Sequence, residues 1–233
     1  MAEFRIWSDR FPHNGFMPKA QEYDDPALGV AGGNVSPALQ WADPPADTKS
    51  FALTVYDPDA PTGSGFWHWV LSNIPPDVRL LPDGAGKADG ILLPTGALQV
   101  RNDYGTVGFG GAAPPRGDKP HRYLFRIHAL KVDALPLGAE TTNAVARFMI
   151  HLNEIDSAVY TGLYELRSSR RTPRDPCVWR KPRAPARRRP AAPSLICPRA
   201  CPLLQAFEHG RRRIHPIARP ALDDSGEPTR RAA

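Results

Sequence analysis

The sequence predicts a mostly β domain, a β-sandwich with a peripheral helix, followed by a disordered C-terminal tail. Three observations carry this. Short extended segments recur with Pro, Gly and Asp between them, one later segment switches to a helical period, and the composition changes abruptly after Leu166.

The strand segments are Phe4–Trp7, Ala38–Trp41, Ser50–Tyr56, Trp67–Asn73, Ala97–Arg101 and His121–Lys131. Phe51, Leu53 and Val55 alternate as a strand with one apolar face requires, and Val70, Leu71 and Ile74 resume an apolar run after a polar loop. From Thr141 to Leu166 the apolar residues Val145, Phe148, Met149, Leu152, Ile155, Val159, Leu163 and Leu166 recur at three and four. That spacing predicts an amphipathic helix over the whole stretch. Thr141 or Thr142 caps its first turn, and Gly162 marks an early stop.

The chain has 233 residues, enough for one good-sized domain with an appendage. The charge map divides it into a domain at 1–166 and a tail at 167–233. The tail holds 17 Lys and Arg against 5 Asp and Glu, net +12, while the first 166 residues hold 13 against 19, net −6, which sum to the overall +6. Eleven prolines and the arginine triplets Arg187–Arg189 and Arg211–Arg213 leave the tail without the apolar periodicity of a core. A basic arm for nucleic acid or membrane surfaces is weighed against a non-adapted extension, and the second reading is preferred. Cys177, Cys197 and Cys201 all lie in the tail, so the domain folds without a disulfide. The N-terminus carries an early acid, and no run approaches the ~20 apolar residues of a membrane span. A cytoplasmic protein without stable membrane insertion is expected.

Two polar clusters interrupt the strands. The first runs from Tyr56 to Trp69 as Tyr-Asp-Pro-Asp-Ala-Pro-Thr-Gly-Ser-Gly-Phe-Trp-His-Trp. Pro58 and Pro61 stiffen it and remove backbone donors around Asp57 and Asp59. The second comprises Asn102-Asp103-Tyr104-Gly105, the glycine run Gly108 to Gly111 before Pro114-Pro115, and His121-Arg122-Tyr123. Histidines supply donors for an anion, glycines let a backbone approach closely, and Asp57 can orient an imidazole and raise its pKa. Taken alone, Asp57 and Asp59 are equally well explained as turn formers, and His68 and His121 as half-buried strand residues. Trp67 and Trp69 share the strand face opposite His68 and pack in the core. His128 and His151 sit in apolar contexts as structural or exposed residues.

Asp-Pro-Asp-Ala-Pro followed by His-Trp, and Gly-x-x-Pro-Pro followed by His-Arg-Tyr, resemble the phosphatidylethanolamine-binding protein family, which includes the Raf kinase inhibitor proteins. Asn34-Val35-Ser36-Pro37-Ala38-Leu39-Gln40-Trp41 and Asn73-Ile74-Pro75 resemble its bacterial branch. The resemblance covers roughly residues 3–166. It implies a pocket for phosphate or a phosphorylated head group formed by Asp57, His68, Gly111, Pro115, His121 and Tyr123, with Asp59 beside it. It also implies a cis bond at Ala60–Pro61, where a tight connection must reverse. The Ala112-Ala113 pair departs from the wider family's Gly-Pro or Ser-Gly, and the loop is expected to persist. No cofactor and no metal are expected. The implied partners are phosphorylated small molecules, including phosphatidylethanolamine and nucleotides, and a kinase or protease inhibited by protein binding. Nucleic acid is not among them, and exposed edge strands are compatible with a homodimer. The competing reading is an esterase or metal-dependent phosphohydrolase in the same cleft. It is disfavoured because Ser64 lacks a Gly-x-Ser-x-Gly elbow and the histidines lack metal-site spacing.

Overall fold

The alternating run at Phe51, Leu53 and Val55 becomes the centre of the largest sheet. In the computed structural model, which describes residues 2–168, the first strands are β1 (Arg5–Trp7), β2 (Gly15–Phe16), β3 (Asp24–Asp25), β4 (Val30–Ala31) and β5 (Leu39–Ala42). There follow β6 (Ser50–Asp57), β7 (Phe66–Ile74), β8 (Leu80–Leu81), β9 (Leu98–Val100), β10 (His121–Leu130), α1 (Asn143–Asn153) and β11 (Glu154–Tyr164). A six-stranded sheet has the order β2-β11-β10-β6-β7-β9, a three-stranded sheet the order β1-β5-β8, and β3 pairs with β4. The expected strands are all present, with each end within one residue of its predicted position.

The two larger sheets enclose the main core. Ile6, Leu39, Trp41 and Leu81 meet Phe51, Leu53, Val55, Phe125 and Ile127 across it. On the outer face of the large sheet, Ala52, Val70 and Leu130 pack against Ala146 and Ile150 of α1. Strand β6 is therefore covered on both sides, which explains its nearly unbroken apolar text. Each fully buried Phe or Leu contributes roughly 1.5–3 kcal/mol.

The structure corrects two expectations about the elements and their faces. The helix ends at Asn153 and the chain continues as β11, which pairs antiparallel with β10 from His121↔Tyr164 to Leu130↔Glu154. The residues that β11 buries are Ala158, Tyr160, Thr161, Gly162 and Tyr164, whereas Val159 is exposed. Period four and period two coincide at Ile155, Val159 and Leu163, so the apolar spacing alone does not separate helix from strand. Thr142 does cap α1, its hydroxyl accepting from the Val145 amide. The second correction concerns the tryptophans. A register shift between Val55 and Tyr56 sets Trp69 opposite Val55 and Trp67 opposite Tyr56. Trp69 joins the main core, and Trp67 packs with the cluster under α1. The bulge breaks the strict alternation that would have kept them on one face.

Among the described residues, no helix is long and apolar enough to cross a membrane. Apart from Arg167 and Ser168, the tail expected at 167–233 lies outside the described residues.

Candidate ligand-binding site

Antiparallel pairing gathers the pocket residues at one end of the large sheet. Asp57 closes β6 opposite Phe66, the first residue of β7, and Tyr56 pairs with Leu124 near the start of β10. His121 and Tyr123 are two apart on β10 and project to the same face. With His68, Tyr104, the β6–β7 loop at Ala60–Thr62 and the Ala113–Pro115 segment they wall a cavity of about 160 Å³. This is below the roughly 300 Å³ at which drug-sized pockets begin, so the cavity suits a head group.

Its polar atoms are specifically arranged. Asp57 serves both of the roles considered for it: Oδ1 accepts the Asp59 amide at 2.8 Å, fixing the turn, and Oδ2 accepts from His121 Nδ1 at 2.8 Å. His68 Nδ1 lies 2.7 Å from the Gly110 carbonyl oxygen. A carbonyl only accepts, so Nδ1 carries the proton and Nε2 is left for another partner. Burial holds the His68 imidazole below its ordinary value, against the opposing pull of the Gly110 carbonyl and the Asp57 charge. The Tyr123 hydroxyl is buried; the Ala113 amide approaches its oxygen, and its proton has no acceptor among the described residues. Burial, reinforced by the Asp57 charge, pushes its phenol upward.

Asp59 and Gly111 stand outside the cavity wall. Arg122 contacts Asp59 three times, through its amide at 3.0 Å, Nε at 2.9 Å and Nη2 at 3.0 Å. That guanidinium holds the Asp59 carboxyl down at about 2. Gly111 is glycine for a packing reason: a Cβ there would lie 2.5 Å from the Gln21 carbonyl oxygen and 2.6 Å from the Tyr23 amide nitrogen. Its own amide donates to Asn34 Oδ1 at 2.7 Å, which ties the Asn34 motif to the loop. Gly110 is approached by the Tyr104 ring, 2.4 Å from where its Cβ would be.

The Ala60–Pro61 bond is trans, contrary to the expectation drawn from the resemblance. The reversal is made by left-handed backbone at Gly63 (φ 80°) and Gly65 (φ 72°). The Tyr56 hydroxyl, donating to the Ser64 carbonyl at 2.9 Å, pins that turn. The loop containing Ala112-Ala113 persists: Ala112 is buried, its amide donates to the Gln21 carbonyl at 2.9 Å, and Ala113 lines the cavity.

Two contributors were not singled out from the sequence. Tyr104 forms a wall, stacked on Tyr23 at 4.0 Å with its hydroxyl donating to the Gly111 carbonyl at 3.0 Å. Asp103 anchors the same loop, accepting from the Trp67 amide at 2.7 Å and from Asn143 Nδ2 at 2.5 Å. Their position beside the glycine run was the available signal. Among the described residues, no group of three or more His, Cys, Asp or Glu side chains could hold a metal ion.

The phosphatidylethanolamine-binding protein family model matches residues 7–165. The UPF0098 protein YbcL of Escherichia coli is 54% identical over 140 residues, covering 60% of this chain and 76% of that protein. The UPF0098 protein YbhB of the same organism is 47% identical over 137 residues, covering 59% of this chain and 85% of that protein. The crystal structure of E. coli YbcL, described as a new member of the mammalian PEBP family, aligns with a TM-score of 0.69 at 48% identity, covering 71% of this chain and 99% of that one. A sequence match spanning most of the domain and a matching solved fold together establish that this chain belongs to the phosphatidylethanolamine-binding protein family.

Proposed function

We propose that the chain binds phosphate, free or carried on a small head group or nucleotide, in the cavity at the end of β6, β7 and β10, and does not turn it over. The observation that carries this reading is the buried Tyr123 hydroxyl, whose proton has no acceptor among the described residues, beside two imidazoles whose Nδ1 atoms are already committed. An unanswered buried hydroxyl costs about 1–3 kcal/mol, and a phosphate oxygen would supply the missing acceptor. Turnover is disfavoured by the same atoms. Tyr123 is pushed away from ionisation, which removes it as a nucleophile.

The neutral state of His68 sets the pH dependence. Its Nε2 is then an acceptor, so either the phosphate brings a proton or the ring takes one up on binding. Both routes bind a proton together with the ligand. Affinity is expected to fall as pH rises from about 6 to 8, a range that starts near the second phosphate-ester pKa of about 6. Titration calorimetry of the full-length chain with inorganic phosphate and phosphoethanolamine tests the reading. His68→Ala and His121→Ala are each expected to weaken binding at least tenfold. Binding by both variants at wild-type strength would reject the site.

A further inference from the structure

The turn before β10 brings a further carboxylate to this site. The Asp118 amide donates to the Pro115 carbonyl at 3.2 Å, Gly117 is left-handed (φ 92°), and the Gly117 amide donates to the Leu166 carbonyl at 2.8 Å. The reversal carries Asp118 Oδ2 to 3.7 Å from His121 Nε2, the ring atom opposite the one that Asp57 holds. His121 is thus flanked by a carboxylate on each nitrogen. The two carboxylates differ in how they are held. Both Asp57 oxygens accept protein N–H groups and its side chain is buried, whereas the Asp118 side chain is 47% exposed and no lysine or arginine among the described residues pairs with it. At 3.7 Å the contact exceeds direct hydrogen-bonding distance but lies within the range of charge interaction.

We infer that Asp118 is a specificity-determining residue, a built-in carboxylate that competes with an anionic ligand for His121 Nε2. The inference rests on the phosphate-binding reading above. Whichever partner carries the proton between them, a phosphate oxygen that bonds to Nε2 must approach the Asp118 carboxylate, and the negative charges repel. The fully charged dianion is penalised most, and ligands of lower charge are selected. The Asp118 side chain is half-exposed, pairs with no lysine or arginine among the described residues and is not part of the cavity wall, so the competition changes affinity without blocking the cavity.

The test is a calorimetric titration of inorganic phosphate into the full-length wild type, Asp118→Asn, His121→Ala and the double variant at constant pH and salt. Asn keeps the shape and removes the charge, so Asp118→Asn is expected to bind phosphate roughly five- to tenfold more tightly than wild type. The gain should vanish in the His121→Ala background, because it acts through that ring. Wild-type or weaker affinity in Asp118→Asn, or a gain that survives without His121, overturns the inference while leaving phosphate binding intact. If none of the four proteins binds phosphate, the pocket reading and this inference fail together.

Discussion

Asp57 is where sequence and structure agree most closely, because one side chain meets both demands: a turn that needs an acceptor and an imidazole that needs a holder. That Asp57 could hold an imidazole was legible from its place in the turn, but which of His68 and His121 it holds was left open until the structure showed His121. Asp118 was not legible, because its contact with His121 depends on a left-handed glycine and a bond to Leu166 that no local pattern announces. Asp59, held low by Arg122, should titrate near 2 when followed by NMR. Its folded value is depressed, so the stability it contributes is present above the ordinary carboxylate value and lost as pH falls toward about 2. Asp59→Asn should remove that part of the acid sensitivity. His128 is fully buried, its Nδ1 donating to Glu154 at 2.5 Å and its Nε2 facing the Thr54 hydroxyl at 3.0 Å. Burial lowers its pKa, so the unfolded chain binds more protons than the folded one below the ordinary histidine value of about 6.5. Stability should fall as pH drops through that window, in the same direction as the loss from Glu154 further down. Melting curves between about pH 7.5 and 5 should show a shallower slope for His128→Gln, and an unchanged slope would refute the assignment.

Among the elements, β6, β7 and β10 were readable because central strands covered on both faces leave long apolar runs between turn residues. The boundary between α1 and β11 was not, because Asn153 passes directly into Glu154 with no glycine or proline between them. Gly162 illustrates the consequence. Instead of stopping a helix, it sits in β11 against Met17 and Phe11, where a Cβ would come within 2.6 Å of Met17 Cγ and 2.9 Å of the Phe11 ring. Gly162→Ala should therefore destabilise the fold by about 1–3 kcal/mol through overpacking, measured by chemical denaturation. No loss would mean that β2 and β11 can separate locally without cost.

At the scale of the whole molecule, the charge asymmetry set the expected end of the domain at residue 166. The family model stops at residue 165, one residue before the boundary read from composition. What composition could not supply was the convergence of three strand ends on one cavity, which depends on pairing order and on the bulge in β7. A chain ending at Ser168 keeps every residue of the cavity wall. It should melt within a few degrees of the full-length protein and bind phosphate equally well, whereas a large drop in either would assign the remaining residues a part in the domain. The most direct test of the central claim is a crystal structure of the full-length protein grown with saturating phosphate. A phosphate is expected in the cavity within about 2.6–3.2 Å of the Tyr123 hydroxyl and the His68 and His121 Nε2 atoms. Phosphate bound only elsewhere, with the Tyr123 hydroxyl proton still lacking an acceptor, would contradict the binding site.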